Sequence, residues 1–302
     1  MSKKKKVVME RIDMASKPVN VLLNILFIAI CLTCVYPFLL VISTSFNSEA
    51  AIAQYGYTAW PKEPTLYAYE YLFTNAATIL RAYGVTIFVT LVGTIGHVVV
   101  CGLYGYAISR SEFKYRNFFT FYMFFTMLFG GGTVPWYIVC TRLLHINNTI
   151  WALIVPMLCS AWNIIILKTF FKTTVPDAII ESARIDGASE LRTFVQIVCP
   201  IALPGLATIA LFAMLGYWNN YYNAMMLTTK ASLQNLQLYL YNILKSASMM
   251  ETGAMKGGVV LQLPQESARN AICVLSIAPI IFAYPFFQRY FIQGLTIGAV
   301  KG

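Results

Sequence analysis

Six long hydrophobic blocks, separated by more polar segments, set the pattern of this 302-residue chain. They occupy residues 19–43, 83–108, 118–140, 149–170, 201–227 and 271–291. A helix that crosses the hydrocarbon core of a bilayer needs about 20 mostly apolar residues, and each block reaches that length. The pattern therefore predicts six transmembrane helices. The first block is too long for the core of a cleaved signal peptide, so we interpret it as a span.

Composition agrees with this pattern. Hydrophobic residues make up 58% of the chain and charged residues only 11%, and the mean hydropathy is +0.65. Soluble domains carry about a quarter of charged residues. We expect an all-α integral membrane protein with one membrane domain over residues 19–292, a basic N-terminal segment over 1–18 and a short tail over 293–302.

The basic residues predict the orientation of the spans. Cations precede the first block and cluster in the two loops that six spans place on the same side: Lys3, Lys4, Lys5, Lys6, Arg11, Lys17, Arg110, Lys114, Arg116, Lys168, Lys172, Arg184 and Arg192. Cytoplasmic loops carry an excess of Lys and Arg, so both termini are expected to be cytoplasmic. The net charge of +10 thus reflects membrane topology rather than nucleic-acid binding.

The polar inventory of the blocks disfavours several mechanisms. None of the six contains Asp or Glu, and the only imidazole is that of His97. Ion-coupled transporters and intramembrane proteases need ionisable or metal-binding groups within the bilayer, so both are disfavoured. We expect no catalytic residue, no metal site and reduced, packed cysteines. The chain also has no Gly-rich Lys-Ser/Thr phosphate loop, so any ATPase would be another chain.

A polar loop between the fourth and fifth blocks, residues 174–204, carries helix signals. Thr174 is a candidate N-cap for a first helix, Gly187 can adopt a positive φ and end it, and Ser189 is a candidate N-cap for a second. Pro200 and Pro204 precede the fifth block. The spacing predicts helix, turn and helix, with an apolar side formed by Ile179, Ile180, Ala183 and Leu191. Spacing alone leaves two interpretations open, an ordinary interfacial loop and a docking element.

A family resemblance favours the docking element. At matching spacing, eight residues resemble the E-A-A-x-x-D-G-A signature of binding-protein-dependent ABC importer permeases, and the similarity is closest to the carbohydrate branch related to the maltose permeases: Glu181, Ala183, Asp186, Gly187, Ala188, Phe194, Pro200 and Pro204. Ser182 departs from the pattern where Ala is usual, and Cys199 where Leu is usual. The segment of residues 130–136, Gly-Gly-Gly-Thr-Val-Pro-Trp, is similar to the subgroup that serves complex oligosaccharide importers in Gram-positive bacteria.

The resemblance implies a type I importer permease fold and a set of partners. The loop would be a cytoplasmic coupling helix that docks on a separate ATPase dimer, which binds ATP and Mg, while this chain binds no cofactor. The contact residues would be Glu181, Ser182, Ala183, Asp186, Gly187, Ala188, Arg192, Pro200 and Pro204. The C-terminal tail is similar to that of the same permeases and would reach the ATPase through Gly298, Lys301 and Gly302. A homologous second permease and an extracytoplasmic solute-binding lipoprotein are the other implied partners, with residues 44–82 and 228–270 as candidate docking segments.

Aromatic and amide side chains in the extracytoplasmic half of the fifth block, together with two in the fourth block, form a candidate solute pathway: Trp162, Asn163, Tyr217, Trp218, Asn219, Asn220, Tyr221, Tyr222 and Asn223. Aromatic faces pack against the C–H side of a sugar ring, and amides both donate to and accept from hydroxyl groups. The alternative is that the aromatics form an interfacial belt and the amides join helices. The family also contains permeases in which only the partner subunit touches the solute.

We therefore expect a multi-pass subunit of the cell membrane, from a Gram-positive bacterium, that forms half of an ATP-driven importer for an oligosaccharide. A permease of the same superfamily for phosphate, amino acids or peptides would share the polar loop. A polytopic membrane enzyme or a structural membrane subunit are the alternatives from other classes.

Overall fold

The computed structural model describes residues 17–74, 76–251 and 266–299. Within these ranges every named element is a helix, and two residues form an isolated β-bridge. The α-helices are α1 (Lys17–Ser45), α2 (Glu49–Tyr55), α3 (Tyr67–Phe73), α4 (Ala76–Ser109), α5 (Arg116–Leu128), α6 (Thr133–Ile138), α7 (Trp151–Ile154), α8 (Ala161–Thr174), α9 (Asp177–Ile185), α10 (Glu190–Thr193), α11 (Cys199–Ile201), α12 (Leu203–Trp218), α13 (Tyr222–Leu227), α14 (Leu236–Glu251) and α15 (Glu266–Ala299). Short 3-10 turns (Val155–Met157, Ala231–Leu233) and π turns (Val139–Leu143, Phe194–Val198) lie between some of them. The all-α prediction is confirmed.

Each of the six hydrophobic blocks is mostly helical, but only the first, second and sixth each lie within a single long helix. By length and composition, the helices Pro18–Ser45 and Ala76–Ser109 can each cross a membrane, and the number rises to five if each of three bent helix pairs counts as one span. The sixth block, residues 271–291, lies within α15.

Three bends separate helices that follow one another along the chain. Helix α5 turns through 116° into the helical segment Thr133–Leu143, the helices on either side of residues 158–160 meet at 50°, and the segment Glu190–Ile201 meets α12 at 87°. The first bend falls on three consecutive glycines, of which Gly132 has φ +80°. A positive φ is accessible to glycine without steric cost, so this segment breaks the helix within the third hydrophobic block.

The chain divides into two compact units. The first contains the described residues of Met1–Tyr71 and Pro264–Val274, and the second contains those of Leu72–Leu263 and Leu275–Gly302. In the first unit, Ser48 caps α2 by accepting from the amide of Ala51 at 3.0 Å. Glu49 accepts from both the amide and the hydroxyl of Ser267 at 2.8 and 2.7 Å. These bonds tie the start of α15 to α2.

The second unit is organised around α4, which packs along both α8 and α12. Glycines of α4 allow these helices to approach one another closely. A Cβ atom on Gly93 would lie 2.6 Å from the ring of Tyr217, and one on Gly105 would lie 3.1 Å from both Leu167 and the carbonyl oxygen of Ile164. Small residues of this kind bring membrane helices together where lipid supplies no hydrophobic driving force.

The contact at Gly93 gives a stability prediction. Gly93→Ala should destabilise the protein by about 1–3 kcal/mol, because the Tyr217 ring must shift to admit a methyl group. Gly84→Ala is the matched control, since a Cβ atom at Gly84 would meet nothing within 4 Å and both substitutions raise helix propensity equally. Thermal unfolding in detergent measures the difference. Equal melting temperatures for the two variants would contradict this account of the packing.

Candidate functional site

The polar loop folds into the predicted helix, turn and helix. Helix α9 ends at Ile185, and residues 186–188 form a turn in which Gly187 has φ +78°. The amide of Ala188 donates to the carbonyl oxygen of Ala183 at 2.9 Å, which closes the end of α9. Ser189 caps α10, its hydroxyl accepting from the amide of Arg192 at 3.4 Å. Gly187 and Ser189 thus have the local conformations that the sequence predicts.

The predicted cap at Thr174 is wrong. Helix α8 continues through Thr174, and Pro176 occupies the N-cap position of α9 without a side-chain hydrogen bond. The Thr174 hydroxyl is buried and has no hydrogen-bond partner. The apolar side is also narrower than predicted, because Ile180 and Ala183 are buried whereas Ile179 and Leu191 are exposed.

Arg110, directly after the end of α4, anchors the start of this loop. It is only 6% exposed. Its Nη1 donates to Asp177 Oδ1 at 3.0 Å, and its Nη2 donates to the carbonyl oxygen of Phe171 at 3.5 Å. Its Nε donates to Ser109 Oγ at 3.0 Å, and the guanidinium carbon lies 5.2 Å from the ring centre of Tyr106. A buried cation is stable when its donors are satisfied in this way, so α4, α8 and α9 are joined at one point.

A second chain of polar contacts anchors the other half of the loop. The Tyr106 hydroxyl donates to Glu190 Oε2 at 3.2 Å, and Glu190 Oε1 accepts from Arg184 at 2.8 Å. Arg184 also pairs with Glu112, in the connection between α4 and α5. Its hydrogen bond to Glu112 raises the pKa of the Arg184 guanidinium. Like any arginine, it is charged at physiological pH. Both helices of the loop are thereby held against the end of α4.

The side of the loop that faces away from α4 is exposed. Glu181, Ser182, Asp186 and Arg192 are exposed, and Ile185 at the tip is 87% exposed. Beside the loop lies a mostly apolar cavity of about 520 Å³, lined by residues that include Phe113, Leu191 and Phe194. An anchored helix pair with an exposed apolar tip is suited to bind another protein.

Sequence reasoning missed the anchoring residues Tyr106, Arg110 and Glu112, and it missed Ile185. The available signal was the position of Arg110 and Glu112, which come directly after a hydrophobic block. Nothing in the spacing links Arg110 to Asp177, which lies 67 residues later.

Four of the predicted pathway residues are buried: Asn163, Tyr217, Trp218 and Asn223. The Asn163 amide donates to Nε2 of His97 at 2.9 Å, while Nδ1 of the same ring lies 2.7 Å from the carbonyl oxygen of Met157. Because a carbonyl oxygen only accepts, Nδ1 carries the proton and Nε2 accepts. The Tyr217 hydroxyl donates to the carbonyl oxygen of Ile154 at 2.9 Å.

The remaining buried side chains also face protein. The indole of Trp218 donates to the carbonyl oxygen of Ser276 at 3.0 Å, and Trp218 borders a cavity of about 130 Å³. The side-chain nitrogen of Asn223 is buried without a partner. These groups join helices rather than line an open surface.

The other pathway residues are at least partly accessible. Trp162, Asn219, Tyr221 and Tyr222 are exposed, and Asn220 is half-buried. Helix α12 ends at Trp218, so residues 219–221 form a further break before α13, within the fifth hydrophobic block.

Accessible groups from two breaks meet at Tyr222. Its ring lies 5.7 Å from that of Trp136, and its hydroxyl donates to Thr133 Oγ1 at 3.3 Å. The breaks after α5 and after α12 therefore bring aromatic and hydroxyl groups together.

The predicted contact in the C-terminal tail is only partly covered by the structure. Gly298 lies in α15. Lys301 and Gly302 lie outside the described residues.

Broken membrane helices together with an anchored, outward-facing helix pair define a transport permease subunit. The chain belongs to the family described as the inner membrane component of binding-protein-dependent transport systems, whose pattern matches residues 99–297. Members are ABC transporter permease subunits, which are not enzymes themselves and work with a separate ATPase. The predicted membership of this permease family is confirmed.

Several relatives are similar over almost the whole chain. Protein LplC of Bacillus subtilis is 37% identical over 282 residues, covering 92% of this chain and 94% of that protein. The polygalacturonan/rhamnogalacturonan transport system permease protein YtcP of the same organism is 35% identical, covering 90% and 94%. In the structure of a bacterial ABC transporter involved in the import of the acidic polysaccharide alginate, one chain matches with a TM-score of 0.78 and 29% identity, covering 92% of this chain and 99% of that one.

The anchor at Arg110 predicts a local effect on the loop. Arg110→Gln should speed amide hydrogen exchange in α9 and α10 by about tenfold or more, because hydrogen bonds to a charged group contribute roughly 1.5–3 kcal/mol. Arg192→Gln is the control, since the Arg192 side chain donates only to Gln196 one turn away, at 2.9 Å. Hydrogen exchange with mass spectrometry measures both variants. Unchanged exchange in the Arg110 variant would mean that the loop is held by other contacts.

Proposed function

We propose that this chain forms half of the translocation pathway for an oligosaccharide and is coupled to a separate ATPase through residues 181–204. The observation that carries the proposal is the polar loop, in which both helices are anchored to the end of α4 while Ile185 at the tip is 87% exposed. The second half of the pathway is a homologous permease. ATP and Mg are bound by the ATPase dimer.

The anchoring explains how movement of the ATPase would reach the spans. A docked ATPase would hold the tip through Ile185 and Asp186. Since Arg110 joins the start of α9 to the end of α4, a displacement of the tip is carried to α4 rather than absorbed by a loose loop. Helix α4 packs along α8 and α12, so the same displacement moves the centre of the second unit. The C-terminal tail, through Gly298, Lys301 and Gly302, adds a further contact to the ATPase.

An oligosaccharide is the substrate class that several observations support. Two of the similar proteins are named for polysaccharide transport, one for polygalacturonan and rhamnogalacturonan and one for alginate import. An arabinooligosaccharide permease of Halalkalibacterium halodurans is 28% identical over 289 residues. None of the six hydrophobic blocks carries a carboxylate that would bind a cation, whereas aromatic and hydroxyl groups meet around Tyr222. We assign Trp136, Thr133, Asn219 and Tyr222 as the part of the pathway that a sugar would touch.

The remaining assignments follow the expected topology. Both termini and the coupling loop face the cytoplasm of a Gram-positive bacterium. Residues 44–82 and 228–270 face outward, where a solute-binding lipoprotein delivers the sugar. Trp60, 81% exposed, lies in the first of these segments and is suited to that contact.

The turn at Gly187 provides the test of coupling. Gly187→Val should leave membrane insertion intact and abolish solute-stimulated ATP hydrolysis, because a β-branched residue is strained at φ +78°. Gly187→Asn is the control, since Asn tolerates this conformation and should retain most of the activity. ATP hydrolysis by the reconstituted complex, with and without loaded binding protein, measures both. Full stimulation in the Val variant would refute the coupling role of the turn.

A second test addresses contact with the sugar. Tyr222→Leu should raise the KM for uptake by about three- to tenfold, if a ring stacked on a sugar contributes as much as a pair of aromatic rings does, roughly 0.5–1.5 kcal/mol. Tyr115→Leu is the control, since Tyr115 is an exposed tyrosine directly before α5, and it should leave the KM unchanged. Uptake of labelled neutral and acidic oligosaccharides gives the KM, and co-purification of the partners verifies assembly. An unchanged KM for every transported sugar in the Tyr222 variant would indicate that only the partner permease touches the solute.

A further inference from the structure

Pro279 lies inside helix α15, within the sixth hydrophobic block. Proline has no amide hydrogen, so the carbonyl oxygen of Leu275, four residues earlier, loses the partner that a regular helix would give it. In the hydrocarbon region every backbone polar group needs a partner within the protein. One acceptor of α15 must therefore be satisfied by a group from outside the helix.

The Tyr83 side chain of α4 is that group. Its hydroxyl donates to the carbonyl oxygen of Leu275 at 2.9 Å, the acceptor that Pro279 leaves free. The indole of Trp218, in α12, donates to the carbonyl oxygen of the next residue, Ser276, at 3.0 Å. Two consecutive carbonyl groups, about one turn before Pro279, thus fix α15 to α4 and to α12.

The surroundings of α15 change directly after Pro279. Pro279 and Ile280 are half-buried, and with Trp218 and residues of α4 they border the cavity of about 130 Å³. The next two side chains, Ile281 and Phe282, are 59% and 76% exposed. A closely packed interior resists movement, so a cavity beside a proline leaves room for the helix to bend. Helix α15 is held before Pro279 and is largely uncovered in its described side chains after it.

We propose that Pro279 is the pivot at which α15 bends during transport, and that Tyr83 is a positioning residue for this pivot. The missing amide removes a hydrogen bond that would resist bending, and the Tyr83 hydroxyl keeps the freed carbonyl paired while the helix bends. The part of α15 after Pro279 includes Gly298, in the tail that would contact the ATPase. A movement of the tail would then be taken up at Pro279, and the bonds to α4 and α12 would stay intact. This role rests on the proposed function as a transport subunit.

Hydrogen exchange of the assembled transporter tests the role of Tyr83. Tyr83→Phe should speed amide exchange in α15 around Pro279 about fivefold, the effect of losing one ordinary hydrogen bond. In a Pro279→Ala background the restored amide pairs with Leu275, so Tyr83→Phe should leave exchange unchanged. Pro285→Ala is the matched control background, since it restores an amide elsewhere in α15 and should preserve the fivefold effect. A fivefold effect that persists in the Pro279→Ala background would overturn the role of Tyr83.

Uptake of a labelled oligosaccharide by the reconstituted complex tests the pivot. Pro279→Ala should lower the maximal rate about fivefold or more, the lower end of the range for coupling between distant sites, whereas Pro285→Ala should keep it. Pro279→Gly should recover part of the rate, because glycine restores the amide but leaves the helix easy to bend. Co-purification of the partners verifies assembly of each variant.

Two results would refute the pivot while the proposed function stands. One is full uptake by the Pro279→Ala complex, and the other is an equally low rate with Ala and with Gly at this position, which would indicate lost packing rather than lost bending. Absence of oligosaccharide uptake by the unchanged complex would contradict the proposed function instead. The exchange comparison distinguishes these cases, because it reports on the Tyr83 bond without any solute.

Discussion

The burial of a single guanidinium group, that of Arg110, is the constraint on which the position of the polar loop in the second unit depends. A cation removed from water is stable only where hydrogen bonds and a counter-charge replace its hydration. Here the replacements come from Phe171 at the end of α8 and Asp177 at the start of α9. The loop cannot leave this position without uncovering a buried charge. A segment that must transmit force gains from such an anchor, because a flexible connection would absorb the movement.

Buried backbone groups at the breaks in the membrane helices need hydrogen-bond partners just as the buried Arg110 guanidinium does. Every backbone polar group in the hydrocarbon region needs a partner within the protein. At the break between α7 and α8, the carbonyl oxygens of Ile154 and Met157 accept from Tyr217 and His97, which come from α12 and α4. The side chains of Tyr217 and His97 therefore stabilise a broken helix, although their composition alone would suit contact with a solute equally well.

Several features could be predicted from the sequence because they depend on local chemistry. The hydrophobic blocks, the turn at Gly187 and the cap at Ser189 require only composition and the conformational range of one or two residues. The bends could not be predicted, since an apolar block has the same composition whether it crosses the membrane straight or turns back. The Arg110 anchor joins residues that are far apart in the chain. Adjacent residues can also differ in burial: Trp162 is 60% exposed and Asn163 is 8% exposed, and the difference depends on which neighbouring helix covers each side chain. Thr174 failed as a cap because helix α8 includes it.

The departures of this chain from the family pattern have local explanations in the anchored loop. The hydroxyl of Ser182, where Ala is usual, donates to the carbonyl oxygen of Ala178 at 2.8 Å, so it presents no free donor to a partner. Cys199 is half-buried, at the start of α11, where its side chain is a small apolar group. Neither change alters the exposed tip. In the proposed complex, the ATPase contacts the exposed tip of the loop, at Ile185 and the turn that follows it. The inner side of the loop is constrained by Arg110 and Arg184. Positions between the tip and the inner side, such as Ser182 and Cys199, are constrained by neither contact.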